Sequence, residues 1–148
     1  ADASFELLAR RLIGDIPRYI LINEYDVSVK KDSTGEIISH AKAQLEVDGQ
    51  KILCEGQGNG PVNALDMALR KVLTPIYPTL EDLRLVDFKV RILRSKDASA
   101  ATTRVIIESS CNEGKHWSTV GVSTNIIEAS YEALRDSIIY KLHRDGVT

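Results

Sequence analysis

Residues Trp117 to Leu142 read WSTVGVSTNIIEASYEALRDSIIYKL and carry the pattern that decides the fold. The first part alternates as a β-strand does. The last part repeats apolar or small residues about every 3.6 positions, which is typical of an amphipathic helix. Between them, Asn125 is a favourable N-cap, and Glu128 completes a capping-box pattern. The stretch therefore predicts a strand, a tight corner and a helix whose first backbone N–H groups are open to an anion.

The same unit occurs twice in the chain. Gly56–Arg70 reads GQGNGPVNALDMALR and Gly121–Arg135 reads GVSTNIIEASYEALR, and one constant offset aligns their glycines, alanines and closing Leu-Arg pair. The repeated small residues lie one helical turn apart, where a helix lies close on a sheet; they are Ala64, Ala68, Ala129 and Ala133. A strand pattern precedes each copy, so the repetition indicates two pseudo-symmetric halves.

Each half is predicted to be β-β-β-α. The first half has strands at 19–30, 37–47 and 51–56 and a helix at 61–73 that Pro75 and Pro78 end; the second has strands at 85–93, 102–109 and from 117, then the last helix. A short helix at 2–14 precedes both, with Phe5, Leu8 and Leu12 as its apolar stripe. Antiparallel sheets with helices on one face make an α+β layer architecture.

The composition is that of a soluble globular protein: 148 residues, 43% hydrophobic and 27% charged. A net charge of −2 disfavours a nucleic-acid binder, and no apolar run is long enough to span a bilayer. There is no signal-peptide pattern, so we expect a cytoplasmic protein. Cys54 and Cys111 fit reduced thiols, although a disulfide between them stays open. The chain does not begin with Met, so we expect a piece of a longer protein.

Catalytic and metal-binding patterns are weak. His40, His116 and His143 are scattered without ligand spacing, and no Gly-x-Ser-x-Gly elbow is present. Gly56–Gly60 follows a strand and opens a helix, but its spacing fits neither dinucleotide nor P-loop motifs. The alternative is a flexible corner that needs positive φ at glycine, and the surrounding hairpins favour that interpretation.

The second corner, Val122–Asn125, has a more informative neighbour. If the halves pack as pseudo-symmetric units, strand Leu85–Leu93 lies beside it. Apolar and small side chains would then approach open N–H groups, namely Leu85, Phe88, Ile92, Ala98 and Ala100. Such a pocket fits a small molecule with a carboxylate and an aliphatic side chain. The alternative is plain core beneath a helix, and the pattern alone favours that alternative.

Several longer runs carry a family resemblance. They are Gly58-Asn59-Gly60-Pro61, Leu85-Val86-Asp87-Phe88, Val90–Leu93, Arg104–Ser110 and Trp117–Ser130. Over essentially its whole length the chain resembles the C-terminal regulatory domain of the 2-isopropylmalate synthase and citramalate synthase family. The long runs are closest to the citramalate synthase branch, which uses pyruvate. The hairpin tip Cys111–His116 departs from that branch, which more often has a short acidic-glycine turn.

The resemblance implies a regulatory module without catalytic residues or a cofactor of its own. In this family a TIM-barrel domain with a divalent metal precedes a linker and condenses acetyl-CoA with a 2-oxo acid. The regulatory domain consists of two β-β-β-α units that form a homodimer, and the end-product amino acid binds near the dimer interface. Residues 1–16 would then end the linker, with the first unit at 17–78 and the second at 79–148.

By position, the resemblance implies an effector pocket made by Leu65, Asp66, Leu85, Phe88, Ile92, Ala98, Ala100, Val122, Ser123 and Asn125. The carboxylate would bind at a helix start, the ammonium would pair with Asp66, and the aliphatic chain would lie by Leu85, Phe88 and Ile92. Isoleucine is the expected effector. Three alternatives stay open: a leucine-binding domain of 2-isopropylmalate synthase, a dimerisation module without an effector, and a nucleic-acid-binding α+β domain.

Overall fold

The computed structural model describes residues 2–93 and 101–147. Two antiparallel three-stranded sheets, in the orders β1-β2-β3 and β4-β5-β6, are each followed by a helix, so the predicted pair of β-β-β-α units is confirmed. The elements are α1 (Asp2–Leu12), β1 (Leu21–Lys31), β2 (Ile37–Val47), β3 (Gln50–Gly58), α2 (Pro61–Ile76), a 3₁₀ helix (Pro78–Asp82), β4 (Arg84–Leu93), β5 (Thr102–Ser110), β6 (His116–Ser123) and α3 (Ile126–Arg144).

The chain divides into two compact units. The first unit is Arg18–Pro78, and the second unit joins the N-terminal segment, up to Pro17, to the part of the chain from Thr79 onward. Helix α1 therefore packs with the second unit, against β6 and α3, although it precedes the first unit in sequence. No helix within the described residues is both long and apolar enough to cross a membrane.

Each long helix lies against its sheet at a glycine. A Cβ on Gly56 would lie 2.7 Å from the carbonyl oxygen of Ala64, and one on Gly121 would lie 2.8 Å from the carbonyl carbon of Ala129. The close approach predicted from the repeated small residues is confirmed. The predicted need for positive φ at the first corner is wrong, because Gly60 has φ −148° and the positive-φ glycines lie elsewhere. Gly56 is required for space rather than for backbone conformation.

The predicted stripe of α1 is wrong. Ala3 and Leu7 are the residues that it buries, whereas Phe5 is 73% exposed and Leu12 is 81% exposed. The rotation of α1 is set by polar contacts near its start, where Asp2 Oδ1 accepts a hydrogen bond of 3.2 Å from the N–H of Ser118. Apolar periodicity located the helix correctly but did not identify the face that it buries.

The predicted end of α2 is also wrong. The helix runs through Pro75 to Ile76, and the N–H of Tyr77 then donates to the carbonyl of Leu73 at 2.7 Å. Proline lacks the N–H that would donate to the carbonyl of Lys71, so the last turn gives up one helical hydrogen bond and the helix ends one residue later. The additional turn expected near Leu80 is confirmed as the 3₁₀ helix.

Candidate functional site

Three exposed apolar residues of β4 form a strip on the helix side of the second sheet. Across the ladder, Phe88 pairs with Ile107, Val90 with Val105 and Ile92 with Thr103, and paired residues share a face. Helix α3 packs on β5 and β6, so Val105 and Ile107 are buried. On β4, Phe88 is 42% exposed and Ile92 is 65% exposed. We call Phe88, Val90 and Ile92 the β4 strip.

The Ile92 end of the β4 strip is in register with the second corner, so that a row of residues paired across the three strands joins them. Ile92 pairs with Thr103, and Thr103 pairs with Ser123 at the end of β6. With neighbouring strands about 4.8 Å apart, Ile92 and Ser123 are separated by about 10 Å. Sequence analysis missed Thr103, which is buried between them and brings a hydroxyl to the row. Only the strand register reveals its place.

The N–H groups at the start of α3 already have acceptors within the chain. Asn125 Oδ1 accepts from the N–H of Ile127 at 2.8 Å and from that of Glu128 at 3.2 Å, which confirms Asn125 as the N-cap. The N–H of Asn125 donates to Ser123 Oγ at 3.1 Å. A ligand carboxylate at this corner would therefore have to displace the Asn125 amide oxygen from its two donors.

The start of α2 in the first unit is built differently. Its N-cap is Gly60, which has no side chain to accept from the N–H groups of Val62 and Asn63. Nearby, Ser39 is 1% exposed and its hydroxyl has no hydrogen-bond partner among the described protein atoms. Ser39 pairs across the ladder with Gly58.

A Cβ on Gly58 would lie 2.8 Å from the nitrogen of Ala64, in the first turn of α2. The cross-strand pair of Ser39 and Gly58 therefore lies directly beside the first turn of α2. Sequence analysis missed Ser39, Val62 and Asn63, although a glycine N-cap followed by proline was a readable signal of an uncapped helix start.

Two predicted site residues lie on α2. Leu65 is buried in the core of the first unit, where it faces away from solvent. Asp66 accepts a hydrogen bond of 2.9 Å from Nε of Arg70, which lies one helical turn later, and the two side chains form an ion pair. Burial raises the pKa of Asp66, and the Arg70 charge opposes that rise without cancelling it. An effector ammonium would share this carboxylate with Arg70.

The remaining predicted residues divide into three groups. Leu85 is half-buried, pairs with Ser109 and precedes a bulge in β4. Val122 is exposed on β6, and its N–H donates to Glu132 Oε2 at 3.1 Å. Ala98 and Ala100 lie outside the described residues. Within the second unit the strand register thus places Ile92 and Ser123 at one end of the sheet beside Asn125, whereas Phe88 lies four residues away in the middle of β4.

Comparison with known proteins identifies a family for this chain. Residues 1–142 match the family described as the LeuA allosteric (dimerisation) domain. The chain is 46% identical over 146 residues to the (R)-citramalate synthase of Aquifex aeolicus, covering 98% of this chain and 28% of that protein. It is 44% identical over 145 residues to the (R)-citramalate synthase of Geobacter sulfurreducens, covering 97% and 27%.

A more distant relative is the 2-isopropylmalate synthase of Clostridium kluyveri, at 33% identity over 132 residues, covering 88% of this chain and 23% of that protein. The chain spans about a quarter of the length of the curated relatives that it matches. It belongs to the LeuA allosteric (dimerisation) domain family, among whose members it is more similar to these (R)-citramalate synthases than to that 2-isopropylmalate synthase.

Proposed function

We propose that this chain is the regulatory domain of an (R)-citramalate synthase and that it binds isoleucine for feedback inhibition. One observation carries the proposal in the structure: an exposed apolar strip on β4 runs to the row that ends at the corner before α3. The similarity to (R)-citramalate synthases along nearly the whole chain supports the assignment of the enzyme.

The homodimer would form on the β4 strip. Its side chains are too exposed to belong to the core of the second unit, and among the described strands β4 is an edge strand whose outer side pairs with no other strand. Natural proteins cover apolar edges of this kind. A two-fold arrangement would place the same strip of a second copy opposite it, because isologous interfaces pair like with like.

The effector needs three kinds of contact. Its aliphatic side chain would lie against the β4 strip, near Ile92. Its carboxylate would bind backbone N–H groups at a helix start. Within the second unit the helix start beside this strip is that of α3, where the carboxylate would displace the Asn125 amide oxygen from the N–H groups of Ile127 and Glu128. The ammonium would pair with Asp66.

Inhibition would act on the part of the enzyme outside this chain. The family's barrel domain, with its divalent metal, would condense acetyl-CoA with pyruvate, and this chain supplies none of those groups. Binding of isoleucine across a two-fold interface would favour one arrangement of the subunits. The size of the response is limited by the difference in affinity of isoleucine for the two arrangements.

Leucine is the alternative effector, because 2-isopropylmalate synthases are also among the relatives. Isoleucine and leucine differ in the position of one methyl group, and an apolar pocket separates such ligands by about 1–3 kcal/mol. Pocket shape would therefore decide between them. A domain that dimerises without binding any effector is the remaining alternative.

Calorimetric titration of the chain with isoleucine, leucine and valine tests the proposal, with solution mass recorded at each end point. We expect selective isoleucine binding by a dimer. Selective leucine binding would assign the chain to the other branch, and a dimer that binds none would leave a dimerisation module. Asp66→Ala should weaken binding while Asp26→Ala on exposed β1 should not; equal affinities would exclude the ammonium role of Asp66.

A further inference from the structure

The two units differ in the hydrogen bonding of the outer edge of their third strand. In the second unit, three N–H groups on the outer edge of β6 donate to side chains outside the sheet. Ser118 donates to Asp2 at 3.2 Å, and Val120 donates to Ser4 at 2.9 Å. Val122 donates to Glu132 at 3.1 Å. Two of these three N–H groups thus have acceptors on α1, and the third has its acceptor on α3.

Helix α1 lies in the groove between the β6 edge and α3. It buries Ala3 and Leu7 there. The buried carboxylate of Asp136 on α3 accepts from Ser4 at 3.0 Å and from Arg11 at 3.2 Å. The second unit thus shows which features hold a helix in this groove: side-chain acceptors early in the helix, small apolar residues beneath it, and an opposite charge near its end.

The first unit has the same groove without a helix of this kind. The offset that aligns Gly56 with Gly121 places Leu53, Glu55 and Gln57 where β6 has its three outward N–H groups. Within the described residues, no side chain accepts from these three N–H groups, and Leu53 is 79% exposed. The groove has a volume of about 660 Å³, and its lining residues are His40, Glu55, Gly56, Gln57, Met67, Arg70 and Lys71.

On its α2 side the charge of this groove is reversed relative to its counterpart, and on its β3 side the Glu55 carboxylate is paired with Lys42 at 3.5 Å. Lys71 occupies the position of Asp136, and Met67, which is 56% exposed, occupies the position of Glu132. A second copy of α1 would bring Arg11 against Lys71, two like charges. The observed reversal instead favours a helix that carries a carboxylate where α1 carries Arg11.

We infer that the groove between the β3 edge and α2 binds an acidic amphipathic helix of a partner protein segment. That helix has Asp or Ser side chains in its first turn, which accept from the N–H groups of Glu55 and Gln57. Small apolar residues face Gly56 and Met67. A carboxylate near its C-terminal end pairs with Lys71. The inference does not depend on the identity of the effector.

A helix-stapled peptide with the sequence of Asp2–Gly14 and the substitution Arg11→Glu is the probe. The matched control peptide keeps Arg11. Amide chemical shifts of Leu53, Glu55 and Gln57 in the isotope-labelled chain report binding at this groove and separate it from competition with α1 in the second unit. We expect the Glu peptide to bind roughly fivefold more tightly than the Arg peptide, as a single exposed charge reversal allows.

Two variants sharpen the test. Lys71→Asp changes an exposed residue and should reverse the preference between the peptides. The glutamate side chain in Met67→Glu should accept a hydrogen bond from the N–H of Gln57, as Glu132 does from that of Val122. Hydrogen exchange of the Gln57 amide should then be slower. Three results would overturn the inference: no shift at the three amides with either peptide, equal affinity of both peptides, or protection of these amides by a second copy of the chain alone.

Discussion

Ser4 Oγ donates a hydrogen bond of 3.0 Å to Asp136 Oδ2, and this contact joins a helix from the start of the chain to its last helix. The other carboxylate oxygen accepts from Arg11 at 3.2 Å, so both oxygens of Asp136 hold α1. Asp136 is buried, and besides the neighbouring Arg135 guanidinium at 3.6 Å its partners come from residues more than a hundred positions away in sequence. One carboxylate therefore connects α1 to the unit that contains the corner before α3.

Asp136→Ala should release α1. Ser4 and Arg11 lose their acceptor, and the free energy of unfolding should fall by about 2 kcal/mol. Urea unfolding measures this loss, and faster hydrogen exchange at the Val120 amide reports the undocking, because Ser4 covers that N–H. Asp26→Ala, on an exposed part of β1, is the control. Unchanged exchange at Val120 would mean that Asp136 does not hold the helix.

Gly121→Ala should destabilise the second unit. The added Cβ meets the carbonyl group of Ala129, which is backbone and cannot rotate away. Overpacking of this kind costs about 3 kcal/mol. Gly60→Ala is the matched control, because φ is −148° there and no atom lies within 4 Å of the added Cβ. Thermal unfolding of both variants makes the comparison, and equal melting temperatures would contradict the close packing of α3.

The sequence predicted those features of the fold that depend on local pattern. Repeated glycines and alanines predicted both the pseudo-symmetry and the close helix–sheet contact, because each requires small residues at fixed spacing. The stripe of α1 was misplaced because periodicity identifies an apolar face without identifying what covers it. Phe5 and Leu12 are periodic and exposed, whereas Ala3 and Leu7 are covered by an element remote in sequence.

The candidate site was less accessible to sequence analysis. Asn125 marked a helix start correctly, but the same side chain occupies the N–H groups that a ligand was expected to use. Ser39 and Thr103 could not be found, because their places depend on strand register. The predicted contributions of Leu65 and Asp66 from the first unit remain a prediction.

Lys141→Met should remove an ion cluster at the end of α3. The side chain of Lys141 is 4% exposed and pairs with Asp82 at 3.0 Å and with Asp145. Burial opposes ionisation of Asp145, but hydrogen bonds from Lys141 and Thr79 outweigh it and lower the pKa of that carboxyl. At neutral pH the substitution should cost about 2 kcal/mol, because Asp82 loses its cation and Asp145 keeps only the Thr79 hydroxyl and the Arg144 guanidinium at 3.7 Å.

The pH dependence follows from the sign of that shift. A carboxyl whose pKa is lowered on folding contributes stability above its unfolded pKa, here 3.8, and loses it as pH falls through the folded value. The difference between the wild-type chain and Lys141→Met should therefore be largest near neutral pH and shrink below pH 3.8. Chemical unfolding at several pH values measures it, with Lys42→Met, in an exposed pair, as the control. A constant difference would exclude the linkage.

Asp66→Asn should show the opposite pH dependence. Burial raises the pKa of Asp66 above 3.8, so the folded chain retains a proton that the unfolded chain has lost. The wild type therefore loses stability as pH rises from 3.8 through the raised pKa, and the neutral amide does not. We expect the stability of Asp66→Asn relative to wild type to increase across that window. Arg70→Met should widen the window, because Arg70 opposes the rise; parallel pH profiles would contradict both expectations.

Val90→Lys should separate dimerisation from folding. Val90 lies in the middle of the β4 strip and is 42% exposed, so a lysine there can reach solvent within the isolated second unit. In a two-fold interface the same substitution would bring two ammonium groups together in an apolar contact, which costs several kcal/mol. Sedimentation should therefore show a monomer with nearly wild-type unfolding of the monomeric form. Lys89→Glu, on the opposite face of β4, should leave the mass unchanged. A dimeric Val90→Lys would place the interface elsewhere and would remove the reason for locating the effector's aliphatic group at this strip.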